Sequence, residues 1–299
     1  MKKILKSWDQ FWFAPQDLLS VAYMRIVLCG TLFVMYLIRT ANLNYFTDES
    51  WIPKSKALDV FGETLRPAFL WAFWPDSLNP LVHGILVLLL LLLTVGIGGR
   101  WLMFFAWVID IAFVQRNYAA NYGADIIGSI LLLYLSFTQS CERLSILNMW
   151  RKKSDFKKSD IVSSAFMRMI QVQMCVVYAY TGFEKLRGAS WWDGTALWSV
   201  MANPQMTMMD FTFLRAVPWV IPIAGFMTII FEIYFPAMVM WKKTRCAWLL
   251  MGVCMHVGIA LAMGLIPFSL IMMSTYFLFL DPLILERGLG FRSKMASQN

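Results

Sequence analysis

The sequence predicts an all-α membrane protein, a bundle of about eight transmembrane helices. Of its 299 residues, 59% are hydrophobic and only 15% are charged, and long apolar runs recur along the chain. Soluble domains average about 45–50% apolar and about 25% charged residues. So few polar side chains cannot cover a surface exposed to water. The composition therefore excludes a disordered chain, a nucleic-acid-binding domain and an ordinary cytosolic enzyme.

Eight apolar runs have lengths suited to a hydrocarbon core about 30 Å thick. They predict helices at 20–38, 81–97, 101–113, 123–137, 165–183, 217–240, 247–263 and 267–280. Only Gly264 to Pro267 separates the last two, which predicts a hairpin. There is no internal repeat and no separate soluble segment, so residues 1–299 are predicted to form a single membrane domain.

The distribution of basic residues predicts the orientation. With eight spans, one side holds the amino end, the 98–100 link, the 138–164 loop, the 241–246 link and the carboxyl tail. That side has about twice as many Lys and Arg residues as the other. The positive-inside rule then places both termini in the cytoplasm, for a protein of a bacterial inner membrane. The outer loops, 39–80 and 185–216, are expected to cap a cleft with short interfacial helices.

No metal site is predicted. The five cysteines are scattered without a Cys-x-x-Cys motif, which fits neither a disulfide framework nor a zinc site. His83 and His256 are the two histidines, too few for a multi-histidine metal or haem centre. Motifs for nucleotide binding, metalloproteases and serine hydrolases are also absent from the sequence.

Ionisable groups inside the predicted spans are candidates for function, because burying them in a bilayer is costly. Glu232 and His256 lie at similar distances from the turn between their helices, so they are expected at nearly the same depth, where they can share a proton. Asp110 is a rival partner. In the alternative interpretation Glu232 is protonated against a backbone carbonyl and His256 packs elsewhere.

A second polar layer is expected nearer the outer face, as two stripes at helical spacing. The stripes are Gln171, Tyr178, Thr181 and Lys185 on the fifth predicted span, and Tyr122, Asp125, Ser129 and Ser136 on the fourth. They suit a cleft that opens outward, but interhelical hydrogen bonding is an equally ordinary explanation. Position alone favours Lys185 as an interfacial anchor.

Several segments resemble the HTTM domain, the membrane domain of vitamin K-dependent γ-glutamyl carboxylase-like proteins. They are residues 45–53, 115–117, 180–186 (Tyr-Thr-Gly-Phe-Glu-Lys-Leu) and 191–194 (Trp-Trp-Asp-Gly). The resemblance runs from the first span to Asp281, and the block from Gly182 to Leu186 with its following tryptophans is its most specific part.

The resemblance implies a membrane enzyme, a lyase, that uses a reduced quinone of the vitamin K or menaquinol type and oxygen to modify a substrate at the outer face. Lys185 matches the lysine implicated as the base, and His256 and Glu232 match further positions of the family. Asp125 would serve as the partner of Lys185. Residues implied in binding the quinone or substrate are Tyr178, Thr181, Trp191, Trp192 and Asn121.

The sequence also departs from the carboxylase. Residues 121–125 read Asn-Tyr-Gly-Ala-Asp, without the carboxylase's histidine, and its large lumenal portion is missing. Some small bacterial members of the family act in maturation of a secreted peptide. The second hypothesis is therefore a non-catalytic maturation or scaffold subunit for a secreted peptide or partner protein. A third is a proton-coupled transporter that uses Asp110, Glu232 and His256 as a relay.

Overall fold

The computed structural model describes residues 2–53, 56, 74–148 and 158–288. Within these ranges the chain is helical and contains no β-strand. It groups into two compact units, the first formed by Met1–Arg168 with Pro282–Asn299 and the second by Met169–Asp281. The expectation of a single membrane domain stays a prediction. Part of the outer loop expected at 39–80 (54–55 and 57–73) lies outside the described residues.

The first unit contains α1 (Lys2–Phe13), α2 (Leu19–Arg39), α3 (Asn79–Thr94), α4 (Arg100–Arg116), α5 (Gly123–Ser136), the first turns of α6 (Ile161–Arg187) and α12 (Pro282–Gly288). The second unit contains the rest of α6, α7 (Ala189–Trp192), α8 (Ala196–Met201), α9 (Val220–Met240), α10 (Lys242–Met263) and α11 (Ile266–Ser274). Short 3₁₀ turns extend several helices, among them Thr40–Phe46 after α2 and Thr275–Phe279 after α11.

Each of the eight predicted spans coincides with a helix, and the prediction of an all-helical membrane protein is confirmed. Five helical segments of the described chain are long and apolar enough to cross a bilayer. They are Leu19–Phe46, Asp76–Thr94, Ile161–Arg187, Val220–Met240 and Lys242–Met263. Gly123–Ser136 and Ile266–Phe279 are apolar but shorter. Helix α1 was not predicted, because it is too polar to register as an apolar run.

In the first unit α2 packs against α3, and α4 packs against both α3 and α5. Leucines such as Leu28 and Leu90 fill the core. The fully buried Arg25 donates from Nη1 to the carbonyl of Ser140 at 2.8 Å and from Nη2 to that of Leu144 at 2.6 Å. These bonds satisfy carbonyls of the loop after α5 that have no helical partner, which fixes the loop against α2.

In the second unit α9 and α10 form a hairpin that turns at Trp241. Thr244 Oγ1 donates to the carbonyl of Met238 at 2.7 Å, and Arg245 Nε donates to that of Val239 at 2.8 Å. The basic first turn of α10 thereby caps the last carbonyls of α9. Gly264 ends α10 with a φ of +69°, and the hairpin predicted between α10 and α11 forms there.

Candidate functional site

The strongest ionic contact inside the second unit joins α6 to α9. Lys185 Nζ donates to both carboxylate oxygens of Glu232, at 2.9 and 2.7 Å. The Lys185 side chain is 22% exposed and that of Glu232 is 9% exposed. An ammonium that donates to two oxygens of one carboxylate forms a charge-assisted pair.

Gly182 allows this contact. A β-carbon at Gly182 would lie 2.8 Å from Cγ1 of Ile233, 3.0 Å from its backbone nitrogen and 3.1 Å from Cβ of Glu232. Helices α6 and α9 therefore approach more closely than any larger residue would permit. One turn later on α6, the Lys185 amine is within reach of Glu232.

An indole ring lies beside the ion pair. Lys185 Nζ is 5.3 Å from the centroid of the Trp191 ring, within cation–π range. The segment that carries Trp191 is fixed by Gly194, whose φ of +77° suits glycine and whose added β-carbon would lie 2.5 Å from Cβ of Pro222. Hydrogen bonds from the hydroxyl and the backbone N–H of Thr195 hold the pKa of Asp193 below its ordinary value.

A hydrogen-bonded trio lies deeper in the second unit. The Tyr178 hydroxyl is 2.7 Å from Nε2 of His256 and 2.6 Å from the Tyr276 hydroxyl. All three side chains are buried. Gly252 leaves room for them, because a β-carbon there would lie 2.4 Å from the Tyr276 hydroxyl oxygen. Tyr276 is a member that the sequence did not indicate.

The expected Glu232–His256 pair does not form, because Glu232 binds Lys185 and His256 binds Tyr178. The hairpin turns at Trp241 instead of near Lys243 and Thr244. Glu232 precedes this turn by nine residues and His256 follows it by fifteen, so their depths differ by about 9 Å at 1.5 Å per residue. Asp110, the rival partner, accepts a bond from the Tyr36 hydroxyl at 2.8 Å in the first unit.

Asp125 also has a different partner from the one expected. Arg39 Nη2 donates to Asp125 Oδ1 at 2.5 Å, and the backbone N–H of Tyr122 donates to Oδ2 at 3.1 Å. The second bond closes the first turn of α5, where an acidic side chain is favourable. Lys185 and Asp125 thus each have an ionic partner within their own unit, and the partnership of Asp125 with Lys185 stays a prediction.

The remaining predicted residues make local contacts. The Thr181 hydroxyl donates to the carbonyl of Val177 at 3.0 Å, within α6, and also lies beside the Glu232 carboxylate. Trp192 is exposed, and its Nε1 donates to the carbonyl of Leu186 at 2.7 Å. Asn121 donates to the carbonyl of Val114 in the first unit. The structure thus brings Lys185, Glu232 and Trp191 together, and Tyr178 with His256. These polar groups of the second unit lie on α6, α7, α9 and α10.

Metal ligands do not gather within the described ranges: no group of three or more His, Cys, Asp or Glu residues there could hold a metal ion. The five cysteines are free thiols. Burial raises the pKa of the Cys141 thiol, which lies in the loop after α5, and this makes it a weak nucleophile.

The chain is similar to the sporulation-delaying protein SdpB of Bacillus subtilis (strain 168). The two sequences are 22% identical over 214 residues, which are 68% of this chain and 64% of the relative. The match thus spans less than two thirds of the relative's own length. No family model matches the chain, and no solved structure matches it. Together with the five helices that can cross a bilayer, the similarity identifies a membrane protein.

Proposed function

We propose that this chain is an HTTM-like membrane enzyme of the vitamin K-dependent γ-carboxylase type. It uses a lipid quinol and oxygen for base-driven modification of a substrate at the outer face. The observation that carries the proposal is the Lys185–Glu232 ion pair, 2.7 Å at its shortest contact, whose lysine lies in the block of residues that most resembles the family.

The residues around the pair suit a reduced quinone. Such a molecule presents phenolic hydroxyls and a flat ring on an apolar tail. The Glu232 carboxylate can accept from a hydroxyl, and the indole of Trp191, beside Lys185, offers a face for the ring. A bound quinol would supply reducing equivalents to oxygen and so the strong base that the proposed modification requires.

In this proposal the Lys185–Glu232 pair, and not Lys185 alone, accepts the proton of a quinol hydroxyl. The bound ammonium has no free lone pair, whereas the Glu232 carboxylate can take a proton. Lys185 then remains as a cation that stabilises an anion formed beside it. Tyr178, His256 and Tyr276, joined to one another by hydrogen bonds, form the buried polar support.

The proposal also includes the topology of the chain in the membrane. We place eight spans in a bacterial inner membrane, with both termini in the cytoplasm. The 185–216 segment and the described part of 39–80 lie outside and cap a cleft. The support is that helices occupy all eight apolar segments and that basic residues concentrate on the predicted cytoplasmic side.

Quinol turnover tests the proposal. The purified protein is supplied with reduced menaquinone or vitamin K in air, and the quinone epoxide is measured by mass spectrometry. Lys185→Ala and Glu232→Gln should each abolish epoxide formation while the protein remains folded. Arg187→Ala is the matched control, because Arg187 is exposed on the same helix and pairs only with the exposed Glu184 within the described chain. Epoxide formation that survives Lys185→Ala would refute the assignment.

The second candidate is a non-catalytic maturation or scaffold subunit for a secreted peptide or partner protein. The similarity to a sporulation-delaying protein favours it. An open cavity of about 430 Å³ in the outer segment of the second unit also suits apolar side chains of a peptide, because Met208, Met209 and Phe211 line it. A co-purifying partner, together with no epoxide from folded protein, would favour this function over the first.

A further inference from the structure

Helix α1 is strongly amphipathic, a property that none of the spanning helices shares. At 3.6 residues per turn, one arc of about 120° carries all but one of its large apolar residues. The arc contains Ile4, Leu5, Trp8, Phe11 and Trp12. The opposite face carries Lys3, Lys6 and Gln10.

Most of this apolar arc is uncovered. Ile4 is 74% exposed, Leu5 56% and Trp8 59%. The exposed part forms one continuous strip, because these positions are spaced at one and four residues. An exposed strip of this kind on a basic helix needs an apolar partner.

The carboxyl end of α1 is attached where two spans begin. Arg168 Nε, on α6, donates to the carbonyl of Phe11 at 3.0 Å, and its guanidinium lies over the Phe11 ring. Gln16 exchanges hydrogen bonds with Ser159: its N–H donates to the Ser159 hydroxyl at 2.7 Å, and its carbonyl accepts from the Ser159 N–H at 2.9 Å. Helix α2 begins at Leu19 and α6 at Ile161, so α1 ends beside the amino ends of two helices that are long and apolar enough to cross a bilayer.

We propose that α1 lies on the bilayer as an interfacial helix that recognises anionic lipid. Ile4, Leu5 and Trp8 insert at the boundary between headgroups and acyl chains, and Lys3 and Lys6 contact lipid phosphates. The position of the helix beside the span ends, an exposed indole within the apolar strip and lysines on the other face are the features of a membrane-surface helix. This inference is independent of the proposed enzyme activity.

Hydrogen–deuterium exchange in the full-length protein tests it. The protein is placed in nanodiscs of phosphatidylcholine alone or of phosphatidylcholine with phosphatidylglycerol, and exchange is followed by mass spectrometry. Amides of residues 5–13 should exchange about 30-fold more slowly in the anionic discs, the effect expected of two lysines near an anionic surface. Lys3→Gln combined with Lys6→Gln should remove the dependence on lipid charge.

A separate variant, with its own control, tests the role of the apolar strip in membrane binding. Trp8→Ser should accelerate exchange of residues 5–13 in both kinds of disc, whereas Phe213→Ser, at an equally exposed aromatic residue of the second unit, should leave it unchanged. Unchanged exchange across 20–38 shows that each variant is folded. Equal exchange of residues 5–13 in both discs would overturn the proposal. So would protection that appears only with two copies per disc, because a second chain would then cover the strip.

Discussion

Gly182 and Glu232 lie so close that a β-carbon on the glycine would be 3.1 Å from Cβ of the glutamate. The backbone of α9 is also near, since the nitrogen of Ile233 would lie 3.0 Å from the same β-carbon. A helix backbone cannot move aside as a flexible side chain can, so α6 and α9 would have to separate. The Lys185–Glu232 ion pair thus depends on the absence of a side chain one turn away.

Gly182→Ala should therefore destabilise the protein by about 1–3 kcal/mol, the usual cost of overpacking, and should weaken quinol turnover by separating Lys185 from Glu232. Thermal unfolding in detergent and the epoxide assay measure the two effects. Gly258→Ala is the matched control, because a β-carbon at Gly258 on α10 meets nothing within 4 Å. Equal melting temperatures for the two variants would show that α6 and α9 are not in close contact.

The two members of the ion pair should be energetically coupled. Lys185→Met leaves the Glu232 carboxylate without its cation, and Glu232→Gln leaves the amine without its anion. Because the Lys185 side chain is 22% exposed, water compensates part of each loss, and we expect each single change to cost about 1–3 kcal/mol.

The double variant Lys185→Met with Glu232→Gln should cost less than the sum of the singles, by about 0.5–3 kcal/mol. Chemical or thermal unfolding of the four proteins completes the cycle. Arg187→Met with Glu184→Gln, an exposed pair on the same helix, serves as the reference and should show coupling below about 1 kcal/mol. Additive losses at Lys185 and Glu232 would contradict the buried ion pair.

The buried trio depends on Gly252 in the same way that the ion pair depends on Gly182. Tyr276→Phe should cost about 1–2 kcal/mol through the lost hydrogen bond to Tyr178. Gly252→Ala should cost more, because its β-carbon would displace the Tyr276 hydroxyl and press on the ring of Phe231.

In the Tyr276→Phe background, Gly252→Ala should be less damaging than in the wild type, since the nearest clashing atom has been removed. Unfolding of the two single variants and the double variant measures the difference. An undiminished cost in the double variant would mean that the ring carbons of Phe231 and residue 276, each 2.9 Å from the added β-carbon, and not the hydroxyl, limit the approach to Gly252.

Hydrophobicity alone was enough to find the spans, because each must bury apolar side chains over a bilayer's thickness whatever it packs against. The positions of polar residues within these apolar segments also identified groups that need partners, namely Lys185, Glu232, Tyr178 and His256. The partners themselves could not be predicted. A turn placed at Trp241 changes relative depth by several ångströms, and the close approach at Gly182 is a property of two helices together. Arg39, 86 residues before Asp125, looked like an ordinary loop charge.

Because Asp125 pairs with Arg39, we expect a change at Asp125 to lower stability without abolishing quinol turnover. Asp125→Asn removes the ion pair with Arg39 and weakens the first turn of α5, so the protein should lose about 1–3 kcal/mol of stability. Quinol turnover per folded molecule should stay within about twofold of the wild type, because Lys185 and Glu232 keep each other as partners. Lys185→Ala, assayed beside it, should show no turnover. If Asp125→Asn abolishes turnover while the protein unfolds at a near-normal temperature, then Asp125 takes part in the chemistry and the assignment of the base to the Lys185–Glu232 pair is incomplete.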